Sequence, residues 1–154
     1  MARPLAVGDK VPPFDVRDSS GKTWSSASLS GRPFVVFFYP ADESPGCVKE
    51  ACAFRDSWEE FEALHVSVLG VSRDDDASHS AFAQHRRLPF ALLADPDGKL
   101  HAAFGAFHFG SVPRRVSFLV DAAGKVAAVF DSHLQPGSHP EAMLVGARKL
   151  TAAG

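Results

Sequence analysis

The stretch that decides the fold is residues 37–55, FFYPADESPGCVKEACAFR, in which an apolar strand leads through a Pro-rich turn into a helix. Both cysteines of the chain, Cys47 and Cys52, lie inside it. Cys47 falls where the helix begins, and the unpaired N–H groups and aligned dipole of a helix start favour a thiolate over a thiol. The sequence therefore indicates a reactive cysteine at this point.

The elements on either side of that turn have clear patterns. Residues 34–39 form a continuous apolar run ended by Pro40, which is typical of a strand buried on both faces of a sheet. Residues 45–64 predict one helix, because apolar residues recur at steps of three and four. These residues are Ala51, Phe54, Trp58 and Phe61. Cys47 extends the same stripe by one turn, so it faces the core.

The rest of the chain alternates between strands and helices. Residues 14–17 and 22–24 predict an N-terminal β-hairpin. Further strands are predicted at residues 65–71, 88–93, 115–121 and 125–131, helices at residues 76–87, 100–104 and 141–152, and a loop at residues 104–110. The acidic run 74–76 suits the start of a helix. We expect a single α/β domain over residues 1–154 with a thioredoxin-like fold, in which helices flank a central mixed β-sheet.

Composition excludes several classes of function. A formal net charge of -2 over 154 residues, without long runs of like charge, gives no reason to expect a nucleic acid or an anionic membrane as partner. The N-terminus lacks the apolar core of a secretion signal, and no apolar run reaches the ~18 residues of a membrane span. We expect a cytoplasmic protein, where two cysteines indicate redox or metal chemistry more than a structural disulfide. The seven histidines form no recognisable ligand set, so neither a metal nor another cofactor is predicted.

The spacing of the two cysteines restricts their chemistry. A disulfide oxidoreductase of the thioredoxin type is disfavoured, because its motif is Cys-x-x-Cys and these cysteines are five residues apart. In an intact helix their Cα atoms lie ~8.6 Å apart, whereas a disulfide needs at most ~7 Å. Either Cys47 and Cys52 never bond, or the first turns of the helix unwind before they do.

A thiolate at Cys47 suits attack on a peroxide, which gives a sulfenic acid that a second thiol converts to a disulfide. Cys52 is the available second thiol. The leaving oxygen needs hydrogen-bond donors such as helix N–H groups, a hydroxyl and an arginine. Ser44 fits the N-cap position and supplies the hydroxyl. Sequence position alone does not choose between Arg114 and Arg115 for the arginine.

Several motifs resemble those of a peroxiredoxin of the bacterioferritin-comigratory, or Q-type, subfamily. Around Cys47 they are FYP at 38–40, SPGC at 44–47, EAC at 50–52 and FRD at 54–56. Elsewhere they are AVGDKVP at 6–12, LADP at 93–96 and RVSFLVD at 115–121. The resemblance extends over most of the chain and implies a thioredoxin-dependent peroxidase that reduces hydrogen peroxide and alkyl hydroperoxides as a monomer.

The resemblance also implies a role for individual residues. Cys47 matches the peroxidatic cysteine and Cys52 the resolving cysteine, which forms an intramolecular disulfide that a thioredoxin or a glutaredoxin-like protein reopens. Pro40 is expected to shield Cys47, and Ser44 to bond the peroxide where the family usually has threonine. Arg115 is expected to stabilise the thiolate and hold the substrate oxygens.

Other interpretations of the same residues stay open. Cys47 could be a small buried hydrophobic residue, Ser44 only a helix cap, Pro40 only a strand terminator and Glu50 a surface charge of the helix. Cys52 need not be the resolving thiol. An alternative function is a thiol redox sensor or holdase, in which a Cys47/Cys52 switch exposes apolar surface and changes the binding of a partner.

Overall fold

The computed structural model describes residues 4–107 and 112–153. Its strands form two sheets. A small antiparallel sheet joins β1 (Asp15–Arg17) to β2 (Thr23–Ser25). The large sheet contains β3 (Phe34–Phe38), β4 (Ser67–Ser72), β5 (Ala91–Ala94), β6 (Val116–Val120) and β7 (Val126–Asp131). Its strand order is β5-β4-β3-β6-β7, with β3, β4 and β5 parallel and β6 antiparallel to both of its neighbours.

Six α-helices and one 3₁₀ turn are present among the described residues. The helices are α1 (Ser26–Leu29), α2 (Pro45–Asp56), α3 (Trp58–Ala63), α4 (Asp76–Arg86), α5 (Lys99–Phe104) and α6 (His139–Ala153). The 3₁₀ turn, Pro136–Ser138, leads directly into α6. No helix in the described part of the chain is long and apolar enough to cross a bilayer.

Alternate side chains of the central strand β3 enter two separate cores. Val35 and Phe37 pack with residues of α2, α3, α4 and α6 on one face of the sheet. Phe34, Val36 and Phe38 pack on the other face with α1, α5 and the β1–β2 hairpin. Both faces of β3 are therefore buried, as its continuous apolar run predicts. The α/β class, the mixed central sheet and the N-terminal hairpin are confirmed.

The prediction of one helix over residues 45–64 is wrong, because the chain breaks at Ser57 between α2 and α3. Ser57 has φ -99° and ψ 4°, and its N–H donates to the carbonyls of both Ala53 and Phe54 at 3.2 Å. Such a shared bond is common where a helix ends. Phe54 of α2 and Phe61 of α3 still pack together, with ring centroids 5.9 Å apart. Because both helices bury their apolar residues in the same core, the spacing of those residues in the sequence does not reveal the break.

Smaller differences concern element ends. Helix α1 and the 3₁₀ turn were not predicted, and α6 begins at His139 instead of residue 141. The acidic run does begin a helix, since the Asp75 side chain accepts a bond from the Ser78 N–H at the start of α4. Helix α5 ends at Gly105, whose φ of 66° suits glycine. Residues 108–110 of the expected loop lie outside the described residues.

Candidate active site around Cys47

The topology of the central sheet brings two distant parts of the chain together. Strand β3 runs towards the loop that precedes α2, so the start of α2 lies beyond the carboxyl end of β3. Strand β6 is antiparallel to β3, and Phe38 at the end of β3 pairs with Val116 at the beginning of β6. Arg115, which immediately precedes Val116, is therefore placed beside the first turn of α2.

The thiol of Cys47 is buried and lies against this arginine. Cys47 has no exposed surface, and Arg115 is 4% exposed. The Nη1 group of Arg115 donates to Cys47 Sγ at 3.4 Å. A guanidinium so close, in a site away from water, stabilises negative charge on sulfur. The first turn of α2 can approach so closely because residue 46 is glycine: a Cβ there would lie 2.9 Å from Arg115 Nη2.

Glu50, one turn after Cys47, shares the same guanidinium. Its Oε1 accepts from Arg115 Nη1 at 2.7 Å, and Glu50 is fully buried. Burial raises the pKa of Glu50 to about 8, and the positive charge of Arg115 opposes this rise. The surface interpretation of Glu50 is therefore wrong. Arg115 faces two ionisable groups at once, the thiol and the carboxyl.

A histidine of the last helix completes this buried cluster. His139 is fully buried, and its Nδ1 lies 2.7 Å from Ser117 Oγ and 3.5 Å from Glu50 Oε2. Its Nε2 lies 2.9 Å from the carbonyl oxygen of Ser132. Burial lowers the pKa of His139 to about 4; the Ser132 carbonyl opposes this change and the charge of Arg115 adds to it. The ring is neutral at neutral pH.

The loop before α2 is fixed by a second polar network, centred on Asp42. Its carboxylate accepts bonds from the Tyr39 hydroxyl at 2.7 Å and the Ser78 hydroxyl at 2.8 Å, and contacts His79 Nδ1 at 2.7 Å. The Asp42 N–H donates to Asp74 Oδ2 at 2.8 Å. Asp42, Asp74 and His79 offer ligand atoms within 4.8 Å of one another. Those atoms already take part in hydrogen bonds within the protein, so the network anchors the loop to β4 and α4.

The end of α4 is tied to both ends of α2. The Arg86 side chain donates to the carboxylate of Glu43, which also contacts His85 Nδ1 at 2.7 Å. The carbonyl of Arg86 accepts a bond from Arg55 Nη1 at 2.8 Å. Glu43 precedes α2 and Arg55 lies in its last turn, so Arg86 links the two ends of the helix. These exposed or half-buried contacts are weak individually.

Comparison with known proteins then decides the family. A model of the AhpC/TSA family matches residues 7–129 of the chain. The chain belongs to the AhpC/TSA family.

The chain is similar to curated plant proteins. The chain is 46% identical over 134 residues to "Peroxiredoxin Q, chloroplastic" of Populus jackii, with 86% of this chain and 63% of the relative covered. The protein of the same name from Gentiana triflora is 43% identical over 137 residues, with 88% and 63% covered. This chain therefore spans about 63% of the length of these plant relatives. The resemblance to Q-type peroxiredoxins is confirmed.

Solved structures of related proteins have the same fold. The peroxidoxin BcpB of Mycobacterium tuberculosis matches with a TM-score of 0.89 and 34% identity, covering 95% of this chain and 98% of that chain. Peroxiredoxin Q of Xanthomonas campestris matches with a TM-score of 0.84 and 27% identity, covering 90% and 91%. The predicted thioredoxin-like fold is confirmed.

The remaining predicted site residues lie close to Cys47 in the sequence. Ser44 occupies the N-cap position, as predicted, but its hydroxyl makes no capping bond and donates instead to the Ala41 carbonyl at 3.1 Å. Pro40 follows β3 and is half-buried. Cys52 is free and half-buried, and Cys47 is also free. Both cysteines lie on the continuous helix α2, so a disulfide between them needs that helix to open.

Three residues of the site were missed by sequence reasoning. Glu50 stands three positions after Cys47, and this spacing on one helix face was a usable signal for a shared environment. Gly46 was quoted as part of a motif, but its close approach to Arg115 depends on the pairing of β3 with β6. His139 lies 92 positions after Cys47 and carried no local signal. Only the three-dimensional structure brings it to Glu50.

Proposed function

We propose that the protein is a thiol peroxidase that reduces hydrogen peroxide and organic hydroperoxides through Cys47. The observation that carries the proposal is the contact between Arg115 and Cys47 at the start of α2, with Sγ 3.4 Å from a buried guanidinium. This arrangement stabilises a thiolate, which is the nucleophilic form of cysteine. Membership of the AhpC/TSA family and similarity to proteins named peroxiredoxin Q support the same activity.

The oxidising step follows from the chemistry of a thiolate. Cys47 Sγ attacks the terminal oxygen of the hydroperoxide, so an S–O bond forms as the O–O bond breaks. Sulfur is oxidised to a sulfenic acid, and the peroxide is reduced to an alkoxide or hydroxide that takes up a proton. We assign Arg115 and the hydroxyl of Ser44 as hydrogen-bond donors to the peroxide oxygens, on which negative charge develops during the reaction. Pro40 is assigned to shielding of the thiolate. Because Sγ is buried, small movements of the surrounding side chains admit the peroxide while the first turn of α2 stays folded.

The second step closes a disulfide. The Cys52 thiolate attacks the sulfenic sulfur of Cys47, an S–S bond forms, and hydroxide leaves as water. Both thiols lie on the intact helix α2, whose geometry separates their Cα atoms by ~8.6 Å. The cycle therefore includes unwinding of part of α2. A dithiol protein of the thioredoxin or glutaredoxin type then reduces the disulfide by thiol exchange.

This cycle needs no second copy of the chain and no bound cofactor, because both cysteines belong to one helix. We assign it to a monomer in a reducing compartment such as the cytoplasm, where a thioredoxin system keeps the thiols reduced. The plant relatives, by comparison, are named as chloroplastic proteins.

The direct test measures peroxide consumption coupled to a thioredoxin system. We expect continuous turnover by the wild type and loss of at least about a thousandfold in the Cys47→Ser variant, since a hydroxyl there is not an effective nucleophile. Cys52→Ser is the matched control, because it should still consume one equivalent of peroxide. Unchanged turnover in Cys47→Ser would contradict the proposal. Slow reduction by thioredoxin, with a partner that binds one redox state only, would favour the sensor or holdase alternative.

A further inference from the structure

The polar cluster beneath Cys47 contains a hydrogen-bond acceptor with no partner. Glu50 Oε1 is bonded to Arg115, but Glu50 Oε2 is buried without a hydrogen bond among the described residues. A buried carboxylate oxygen that is left unsatisfied is costly, whereas a protonated oxygen needs only an acceptor for its O–H. Because Oε1 already accepts from Arg115, a proton on Glu50 belongs on Oε2.

The group that faces Oε2 is suited to accept such a bond. The carbonyl of Ser132 can only accept, so His139 Nε2 carries the ring proton and donates to it. His139 Nδ1 is then the lone-pair nitrogen of a neutral ring. It lies 3.5 Å from Glu50 Oε2, a separation that a shift of a few tenths of an ångström converts to a hydrogen bond. The Ser117 hydroxyl donates to the same nitrogen at 2.7 Å and competes with Glu50 for it.

We propose that His139 is a positioning residue of this site: its Nδ1 holds a proton on Oε2 of Glu50, so that the charge of Arg115 acts on the Cys47 thiolate alone. With Glu50 ionised, one guanidinium would be shared between a carboxylate and a thiolate. With Glu50 protonated, Arg115 faces a single anion. His139 thereby acts on the sulfur without touching it. The consequence for peroxide turnover rests on the proposed function, whereas the consequence for thiol reactivity does not.

The other charged groups around the cluster are consistent with this assignment. Helix α2 contributes Cys47 and Glu50 to the cluster, the residue before β6 is Arg115, and α6 contributes His139. At the end of β7, the Asp131 carboxylate opposes the lowering of the His139 pKa. Asp131 itself is paired with Arg114 at 2.6 Å. Arg115 is therefore the buried cation for which the thiol and the carboxyl compete.

The test measures the rate at which iodoacetamide alkylates Cys47 as a function of pH, in a Cys52→Ser background with a single thiol. His139→Phe keeps a ring beside Phe130 but removes the acceptor, so Glu50 ionises more readily. We expect the pH midpoint of alkylation to rise by about one unit, roughly a tenfold loss of rate below the midpoint. Ser117→Ala is the matched control. This variant removes the hydrogen bond from the Ser117 hydroxyl to His139 Nδ1 but keeps Nδ1 as an acceptor for Glu50. The pH midpoint of alkylation should therefore not rise.

Glu50→Gln separates a positioning role from a structural one. Glutamine keeps an oxygen for Arg115, carries an N–H towards Nδ1, and cannot ionise. In the Glu50→Gln background we expect His139→Phe to leave the midpoint unchanged. An equal rise in both backgrounds, or no rise in either, would overturn the proposal. If His139→Phe does not fold, His139→Leu replaces it, because an aliphatic side chain fills part of the same buried space and offers no acceptor to Glu50. Peroxide turnover, measured separately, decides the proposed function whatever the alkylation result.

Discussion

The two cysteines of helix α2 are five residues apart and lie in opposite environments. Cys47 belongs to the buried core and contacts the Arg115 guanidinium. Cys52 lies partly exposed one and a half turns later, outside that core. Both lie in one short stretch of sequence, but five residues turn an α-helix by ~500°, so the two side chains lie on different faces of α2. Cys47 alone also contacts Arg115, which a distant strand brings to the first turn of the helix.

This contrast assigns different properties to the two thiols. Cys47 contacts one buried guanidinium and lies at a helix start whose preceding loop is held by the Asp42 network. Cys52 has no comparable surroundings among the described residues and is reached by opening the helix. In the proposed cycle, oxidation therefore depends on order around Cys47, while closure of the disulfide depends on loss of helical order between the two cysteines.

The largest expected effect is on the disulfide. In Cys52→Ser the intramolecular disulfide should be lost completely, and the Cys47 sulfenic acid should persist or become over-oxidised. The rate of Cys47 oxidation should change less than about twofold, because position 52 is outside the charged cluster. Mass spectrometry after one equivalent of peroxide and stopped-flow kinetics measure the two effects. Wild-type protein that forms no such disulfide under the same conditions would show that Cys52 is not the resolving thiol.

An intermediate effect is expected when the charge beside Cys47 is removed. Arg115→Gln should slow Cys47 oxidation about a hundredfold, a typical cost of removing one donor from the centre where charge develops. Arg114→Gln is the matched control, since Arg114 is the adjacent residue but pairs with Asp131. Oxidation rates at fixed pH, with thermal unfolding of both variants, check this prediction. Equal losses in the two variants would mean that Arg115 acts only through stability.

The smallest effect probes the motion of the helix. Ala53→Gly lowers the stability of α2 by about 1 kcal/mol, so closure of the disulfide should become roughly fivefold faster if unwinding limits it. Stopped-flow fluorescence of Trp58 should report the change. Trp58 begins α3 immediately after the break at Ser57. Ala81→Gly on the exposed face of α4 is the matched control and should leave closure unchanged. A slower or unaltered rate in Ala53→Gly would argue against unwinding as the limiting step.

Local patterns in the sequence were sufficient for part of this description. The apolar run of β3, the helix start at Pro45 and the position of Cys47 depend on short-range periodicity and capping chemistry. The break at Ser57 was invisible because the apolar residues on both sides keep a common period. Position alone left Arg114 and Arg115 equivalent, and the family resemblance chose Arg115. Glu50 shares a helix face with Cys47, which is a local signal, but its contacts with Arg115 and His139 depend on tertiary packing that no local pattern contains.

The burial of Glu50 has a thermodynamic consequence, because Glu50 lies on the segment between Cys47 and Cys52. In the intact helix its pKa is about 8, whereas an exposed glutamate has its ordinary value near 4.5. Between these two pH values the folded segment retains a proton that the unwound segment releases. Rising pH in this window therefore destabilises the intact helix and favours the disulfide. In the proposed cycle, the reduction potential of the pair varies with pH through a carboxyl group as well as through the two thiols.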